Sequence, residues 1–152
     1  MTTTQNEKKL IAGISVRTSN DGPAMQDIPA LWNRFMSEGI AGSIPDKASN
    51  DIYAIYTRYE SDQNGPYTMI IGCPVSTIEN LPTDMDHIEL HAGNYHHMPV
   101  KGNLEKGKMI YEAWMEIWKM GLNRNYTTDY EVYGSKSMDM KNAEVDIYVS
   151  VD

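Results

Sequence analysis

The stretch Thr128-Asp129-Tyr130-Glu131-Val132-Tyr133 answers an earlier one, Asp51-Ile52-Tyr53-Ala54-Ile55-Tyr56. Tyr130 matches Tyr53, Val132 matches Ile55 and Tyr133 matches Tyr56, while Glu131 stands where the first segment has Ala54. Aromatic and β-branched residues in alternation predict a strand in both places. Upstream of each strand a helical stripe recurs: Ile28, Leu31, Trp32, Phe35 and Met36 before Gly39, then Ile110, Ala113, Trp114, Ile117 and Trp118 before Gly121. The i, i+3, i+4, i+7 spacing predicts an amphipathic helix, and each glycine suits the position just past its end.

Working outward from these repeats, Lys9 to Arg17 predicts a first strand, and Asn20 to Pro23 a turn that opens the first helix, with Pro29 in its first turns. Ile52 to Glu60 and Tyr67 to Ser76 flank the turn residues Ser61 to Pro66 and predict a hairpin. Asp86 to His91 and Tyr95 to Lys101 flank Ala92, Gly93 and Asn94 and predict a second, shorter hairpin. Lys106 to Met120 is the second helix. Tyr130 to Tyr133 and Val145 to Val151 are the last strands, the final one alternating Val145, Ile147, Val149 and Val151 on one face. The result is an α+β fold of duplicated β-α-β-β units with pseudo-twofold symmetry. Two helices pack on one side of an antiparallel sheet and leave a central cleft. Residues 1–152 make a single domain with internal repeats of about 8–78 and 86–152, of which about 10–76 should superpose on about 90–151.

Composition narrows the function classes. The net charge is −8, and the 13 lysines and arginines are scattered, so no basic face is available for phosphates and no direct nucleic-acid binding is expected. An acidic body favours cationic partners. Cys73 is the one cysteine, which excludes an intramolecular disulfide and suits a reducing compartment. Met1 to Leu10 is polar, and no stretch approaches the roughly 20 apolar residues of a membrane span, so a cytoplasmic protein without membrane association is expected.

Four pieces of the chain resemble the GyrI-like small-molecule-binding domain, the effector-binding domain of AraC-type and MerR-type multidrug regulators. They are Ile28-Pro29-Ala30-Leu31-Trp32-Asn33-Arg34-Phe35, the run from Tyr59 through Gly65-Pro66-Tyr67 to Ile71-Gly72, the Ala113-Trp114 to Ile117-Trp118 helix, and Tyr130-Glu131-Val132-Tyr133. The resemblance implies a duplicated β-α-β-β unit with a central cleft, in which Glu131 meets lipophilic cations at the base of an aromatic pocket. In such regulators the domain is fused to a helix-turn-helix head. The short polar segment before Leu10 leaves no room for one, so a stand-alone member is expected.

Strand alternation sets Asp129, Glu131 and Tyr133 on one face and Tyr130 and Val132 on the other. An ionised glutamate among aromatic walls is costly unless a cation accompanies it. Trp32, Trp114 and Trp118 lie on apolar stripes, where packing is the ordinary role; Trp114 and Trp32, at equivalent positions in the two halves, are candidate walls. Tyr133, Tyr53, Tyr67, Met69 and Tyr148 complete the candidate ligand-binding set, since tyrosine faces attract cations and thioethers adapt to shape. His87, Glu89, His91, His96 and His97 invite a metal reading, but they lack thiolate-bearing spacings, and neither a metal nor a cofactor is expected. The function expected is capture of hydrophobic, cationic small molecules. Two alternatives remain open at this point: hydrolysis of strained electrophiles such as cyclopropane-bearing alkylators, with Glu131 as general acid or base, and a gyrase-inhibitor-like protein-interaction module with a protein partner.

Overall fold

Both long helices stop on a glycine in the left-handed region, Gly39 at φ 61° and Gly121 at φ 67°, where any side chain would be strained. In the computed structural model, which describes residues 2–62, 64–106 and 108–152, those helices lie on one face of a single eight-stranded antiparallel sheet. The chain runs β1 (Thr2–Asn6), β2 (Lys9–Ser19), α1 (Ala24–Ser37), the one-turn α2 (Ile40–Ser43), β3 (Ile52–Thr57), β4 (Pro66–Pro74), β5 (Asp86–Leu90), β6 (Gly93–Gly102), α3 (Met109–Lys119), β7 (Thr128–Tyr133) and β8 (Ala143–Ser150). Short 3-10 turns occupy Leu104–Lys106, Ser135–Ser137 and Met140–Asn142.

The sheet order is β1-β6-β8-β7-β3-β4-β2-β5. Reading outward from the central β7–β3 seam gives β7-β8-β6-β1 on one side and β3-β4-β2-β5 on the other. The second half therefore mirrors the first by a twofold that exchanges β2 with β6, α1 with α3, β3 with β7, and β4 with β8. Across the seam Ala54 pairs with Glu131 and Ile55 with Tyr130. Because Ala54 and Glu131 are also the equivalent residues of the two repeats, the axis passes through that pair.

The outermost strands cross over. β1 belongs in sequence to the first half but pairs with β6, and β5 belongs to the second half but pairs with β2. Only Glu7 and Lys8 join β1 to β2, a reach of about 11 Å at 3.8 Å per residue. β1, at one end of the sheet order, is thus tied to β2, the last strand but one at the other end, which forces the sheet to curl into a half-barrel.

The curl creates two buried faces. On the helix side, Leu31 and Phe35 of α1 pack with Ala12, Ile14, Ala54, Met69 and Ile71, and Ala113, Trp114 and Ile117 of α3 pack with Ile147 and Val149. On the inner side, Ile11, Tyr53, Ile55, Ile70, Leu90, Tyr95 and Tyr130 meet with no helix among them. Both faces of β3 and β7 are consequently buried, as expected of central strands covered on two sides.

Several expectations are corrected. The second hairpin does not form: Gly93, at φ 156°, redirects the chain instead of reversing it, and β5 finds its partner in β2 through Ile11 opposite Ile88 and Lys9 opposite Leu90. β1 was not signalled by its polar sequence; it is an edge strand placed by its partner β6. α3 starts at Met109, later than Lys106, because Leu104–Lys106 form a 3-10 turn instead. Pro29 falls in the second turn of α1, within the first turns as expected, and leaves the Met25 carbonyl without a helical N–H opposite it. α2 adds a third, one-turn helix. Met1, Gln63 of the expected first turn and Gly107 of the expected second helix lie outside the described residues.

Candidate functional site

Alternation along β7 sends Tyr130 inward and turns Asp129, Glu131 and Tyr133 toward the helices. Glu131 is 1% exposed. Its Oε1 accepts a hydrogen bond from the Tyr133 hydroxyl at 2.5 Å, and its Oε2 accepts from the Tyr56 hydroxyl at 2.5 Å and from the Trp114 indole Nε1 at 2.7 Å. Tyr56 and Tyr133 are equivalent residues of the two repeats, so each half supplies one phenol to the acid on the axis. The rings obey the same symmetry. Trp114 stands edge-on to Tyr56 at 5.1 Å, and Trp32 edge-on to Tyr133 at 5.0 Å.

Burial pushes the Glu131 carboxyl above its ordinary value, and the hydrogen bonds from Tyr133, Tyr56 and Trp114 pull against that shift. Burial, reinforced by the negative charge of Glu131, likewise holds the Tyr56 and Tyr133 phenols well above theirs, so both stay protonated and act as donors. The arrangement suits a carboxylate whose charge is spread over three donors and that forms no ion pair among the described residues.

Above this floor opens a cleft of about 730 Å³ between α1 and α3. Trp32, Tyr56, Tyr67, Trp114, Glu131 and Tyr133 line its depth. Met25, Tyr111 and Trp118 form an apolar rim, with Met25 83% and Tyr111 60% exposed. Volume, aromatic walls and a single convergent acid are the features of a small-molecule pocket.

Of the residues singled out from sequence, Glu131, Trp114, Tyr133, Trp32 and Tyr67 come together in this cleft. Tyr67 donates to Asn20 Oδ1 at 2.7 Å, and burial raises its phenol to about 12. Met69 is fully buried in the core beneath α1 and does not line the cleft. Tyr53 and Tyr148 lie on the inner face, for which alternation is the reason: Tyr53 is one residue out of phase with Ala54, and Tyr148 pairs with the inward Tyr130. There Tyr53, Tyr130, Tyr148 and His97 stack in succession at 5.6, 5.0 and 4.6 Å.

Two features escaped the sequence. Tyr56 is matched to Tyr133 in the repeat yet is absent from the candidate binding set; giving it the role of its counterpart would have found it. A buried ion pair, Arg124 Nη2 to Asp129 Oδ2 at 2.7 Å, closes one end of the cleft with Tyr59 donating to the same oxygen at 2.6 Å. Nothing in local periodicity announces it, because Arg124 lies in the irregular loop after α3. Among the described residues no three of His, Cys, Asp and Glu gather as metal ligands.

Fold and cleft together define a small-molecule effector-binding domain. The chain belongs to the Cass2 family of integron-associated effector binding proteins, whose family model matches residues 3–151. It is 30% identical, over 97% of its length and 95% of the relative's, to the putative transcriptional regulator protein YobU of Bacillus subtilis. Its fold is similar to that of an integron cassette protein from the mobile metagenome of Vibrio cholerae, with a TM-score of 0.74, 23% identity, and 99% and 95% of the two chains covered. It is also similar to SAV2435, solved with bound tetraphenylphosphonium, with a TM-score of 0.79, 18% identity, and 99% and 93% covered. No helix among the described residues is long and apolar enough to cross a membrane.

Proposed function

We propose that this chain is a GyrI-like binding protein that captures hydrophobic cations in the cleft between α1 and α3. The observation that carries this reading is Glu131: a carboxylate 1% exposed, on the twofold axis, hydrogen-bonded among the described residues by the neutral donors Tyr56, Tyr133 and Trp114, and floored under aromatic walls. Taking such a charge out of water costs several kcal/mol when it is unpaired, and an incoming cation offsets that cost. The walls add area and π faces, each ring worth on the order of 1 kcal/mol to a desolvated cation. The tetraphenylphosphonium bound by SAV2435 is a ligand of this chemistry in a protein of the same fold. Trp32, Trp114, Tyr56, Tyr67 and Tyr133 are the contacts, a net charge of −8 disfavours duplex DNA, and the cytoplasm is the proposed location.

The test is a calorimetric titration with tetraphenylphosphonium and with tetraphenylmethane-type neutral isosteres made soluble by a polyether arm. Parent protein should bind the cation with a dissociation constant on the order of micromolar. Glu131→Gln should lose about 2 kcal/mol or more of cation affinity and much less for the neutral compound. Equal losses for both compounds would rule out electrostatic capture. Product analysis with cyclopropane-bearing alkylators in the same series would reveal turnover if the acid serves hydrolysis.

A further inference from the structure

An ionised carboxylate offers about four acceptor positions, two on each oxygen. Among the described residues, three donors reach Glu131: Trp114 and Tyr56 on Oε2, and Tyr133 alone on Oε1. The twofold explains which position is left. Trp114 fills the second place on Oε2, so the matching place on Oε1 belongs to its equivalent, Trp32. Trp32 packs instead edge-on against Tyr133 at 5.0 Å and against Phe35 at 6.5 Å. The second half has Ile117 where the first has Phe35, so Trp114 lacks the edge-on neighbour that Trp32 has, and among the described ring contacts its partner is Tyr56. Trp32 and Glu131 both line the cleft.

Building on the proposed capture of hydrophobic cations, we infer that the cleft takes a cation carrying a single N–H, donated to Glu131 Oε1 on the Trp32 side. A protonated tertiary amine bearing aromatic or apolar substituents has that chemistry. A quaternary ammonium offers charge without a donor and leaves the position empty. A guanidinium or amidinium presents two parallel donors, but Oε2 is already full, so the two-pronged geometry that normally favours these groups cannot form. The two halves of a nearly symmetric cleft thereby take different jobs: Trp114 holds the acid in place, and the Trp32 side receives the ligand's donor.

The experiment compares three probes of one scaffold by calorimetry at neutral pH: N,N-dimethyl(naphthylmethyl)ammonium, its N,N,N-trimethyl counterpart, and naphthylmethylguanidinium. On the parent protein the dimethyl probe should bind about tenfold more tightly than the trimethyl one, the worth of one hydrogen bond to a charged group. The guanidinium should bind no better than the dimethyl probe. Trp114→Phe empties a position on Oε2, and the guanidinium should then gain about tenfold relative to the dimethyl probe. The parent comparison needs no variant and stands even if Trp114→Phe fails to fold. Trimethyl binding as tight as dimethyl, with Glu131→Gln weakening both, would overturn the single-donor assignment while leaving cation capture intact. A guanidinium that gains nothing on folded Trp114→Phe would overturn the acceptor count. Failure of every cationic probe to bind would instead bring down the underlying reading.

Discussion

Ala54 and Glu131 face one another across the β3–β7 seam and are also each other's counterpart in the repeat. Their side chains stand on the order of 5 Å apart at Cβ, as directly opposed residues do. An acid at both positions would set two buried carboxylates against each other, and one would have to stay protonated. The methyl of Ala54 avoids that conflict, so a fold that doubles its walls keeps its charge single.

The pH dependence of stability follows from the direction of the Glu131 shift. Burial raises its carboxyl in the folded state, so the native protein holds that proton to a higher pH than the unfolded chain does. The stability this contributes is complete below the unfolded carboxylate value of about 4.3 and is lost as pH rises through the native value. Thermal melts of Glu131→Gln against parent should therefore shift in favour of the variant between low and neutral pH. Binding of a quaternary cation should run the other way, strengthening as pH rises and the proton leaves.

The two phenols on Glu131 should prove unequal despite their symmetry. Tyr133 is the sole described donor to Oε1, whereas Oε2 keeps Trp114 when Tyr56 is altered. Tyr133→Phe should move the midpoint of pH-dependent cation binding upward by more than Tyr56→Phe does. Each should cost about 1–3 kcal/mol of stability at neutral pH, measured by denaturant unfolding.

Tyr53 separates packing from ligand contact. It is 5% exposed in the inner core and stacks on Tyr130. Tyr53→Ala should cost about 3 kcal/mol in unfolding free energy and leave the cation affinity of the folded protein unchanged. A loss of affinity without loss of stability would put Tyr53 back among the binding residues.

The Arg124–Asp129 pair is buried on both sides, with side chains 6% and 0% exposed. Arg124→Met leaves Asp129 as an uncompensated charge and should destabilise by about 3–5 kcal/mol. Adding Asp129→Asn removes that charge: the single amide oxygen keeps the Ser150 N–H, the NH2 faces Tyr59, whose hydroxyl turns to accept, and urea titration should find the double variant the more stable of the two.

Where a segment's structure is set by its own periodicity, the sequence is explicit: α1, α3, β3, β4, β7 and β8 all follow from stripes or alternation. Where pairing with a distant segment decides, it is silent. Thr2–Asn6 has no apolar alternation and becomes a strand only because β6 offers an open edge. Ala92-Gly93-Asn94 has turn chemistry, yet β5 is drawn to β2 by the curl of the whole sheet. The cleft divides in the same way. Glu131, Trp114, Trp32 and Tyr133 are legible from the broken repeat. Tyr53 and Tyr148 mislead because the usual link between tyrosine and a ligand wall ignores a sheet buried on both faces.

The crossed edge strands make each half the custodian of the other. A chain severed in the 77–85 connection would yield two fragments still joined along three ladders, β1 on β6, β5 on β2 and β3 on β7. Neither fragment alone would keep the partner of its outer strand or a complete floor for the carboxylate. Mixed together, such pieces should reassemble, and the cleft would exist only in the company of both, which makes the acid on the seam a reporter of their reunion.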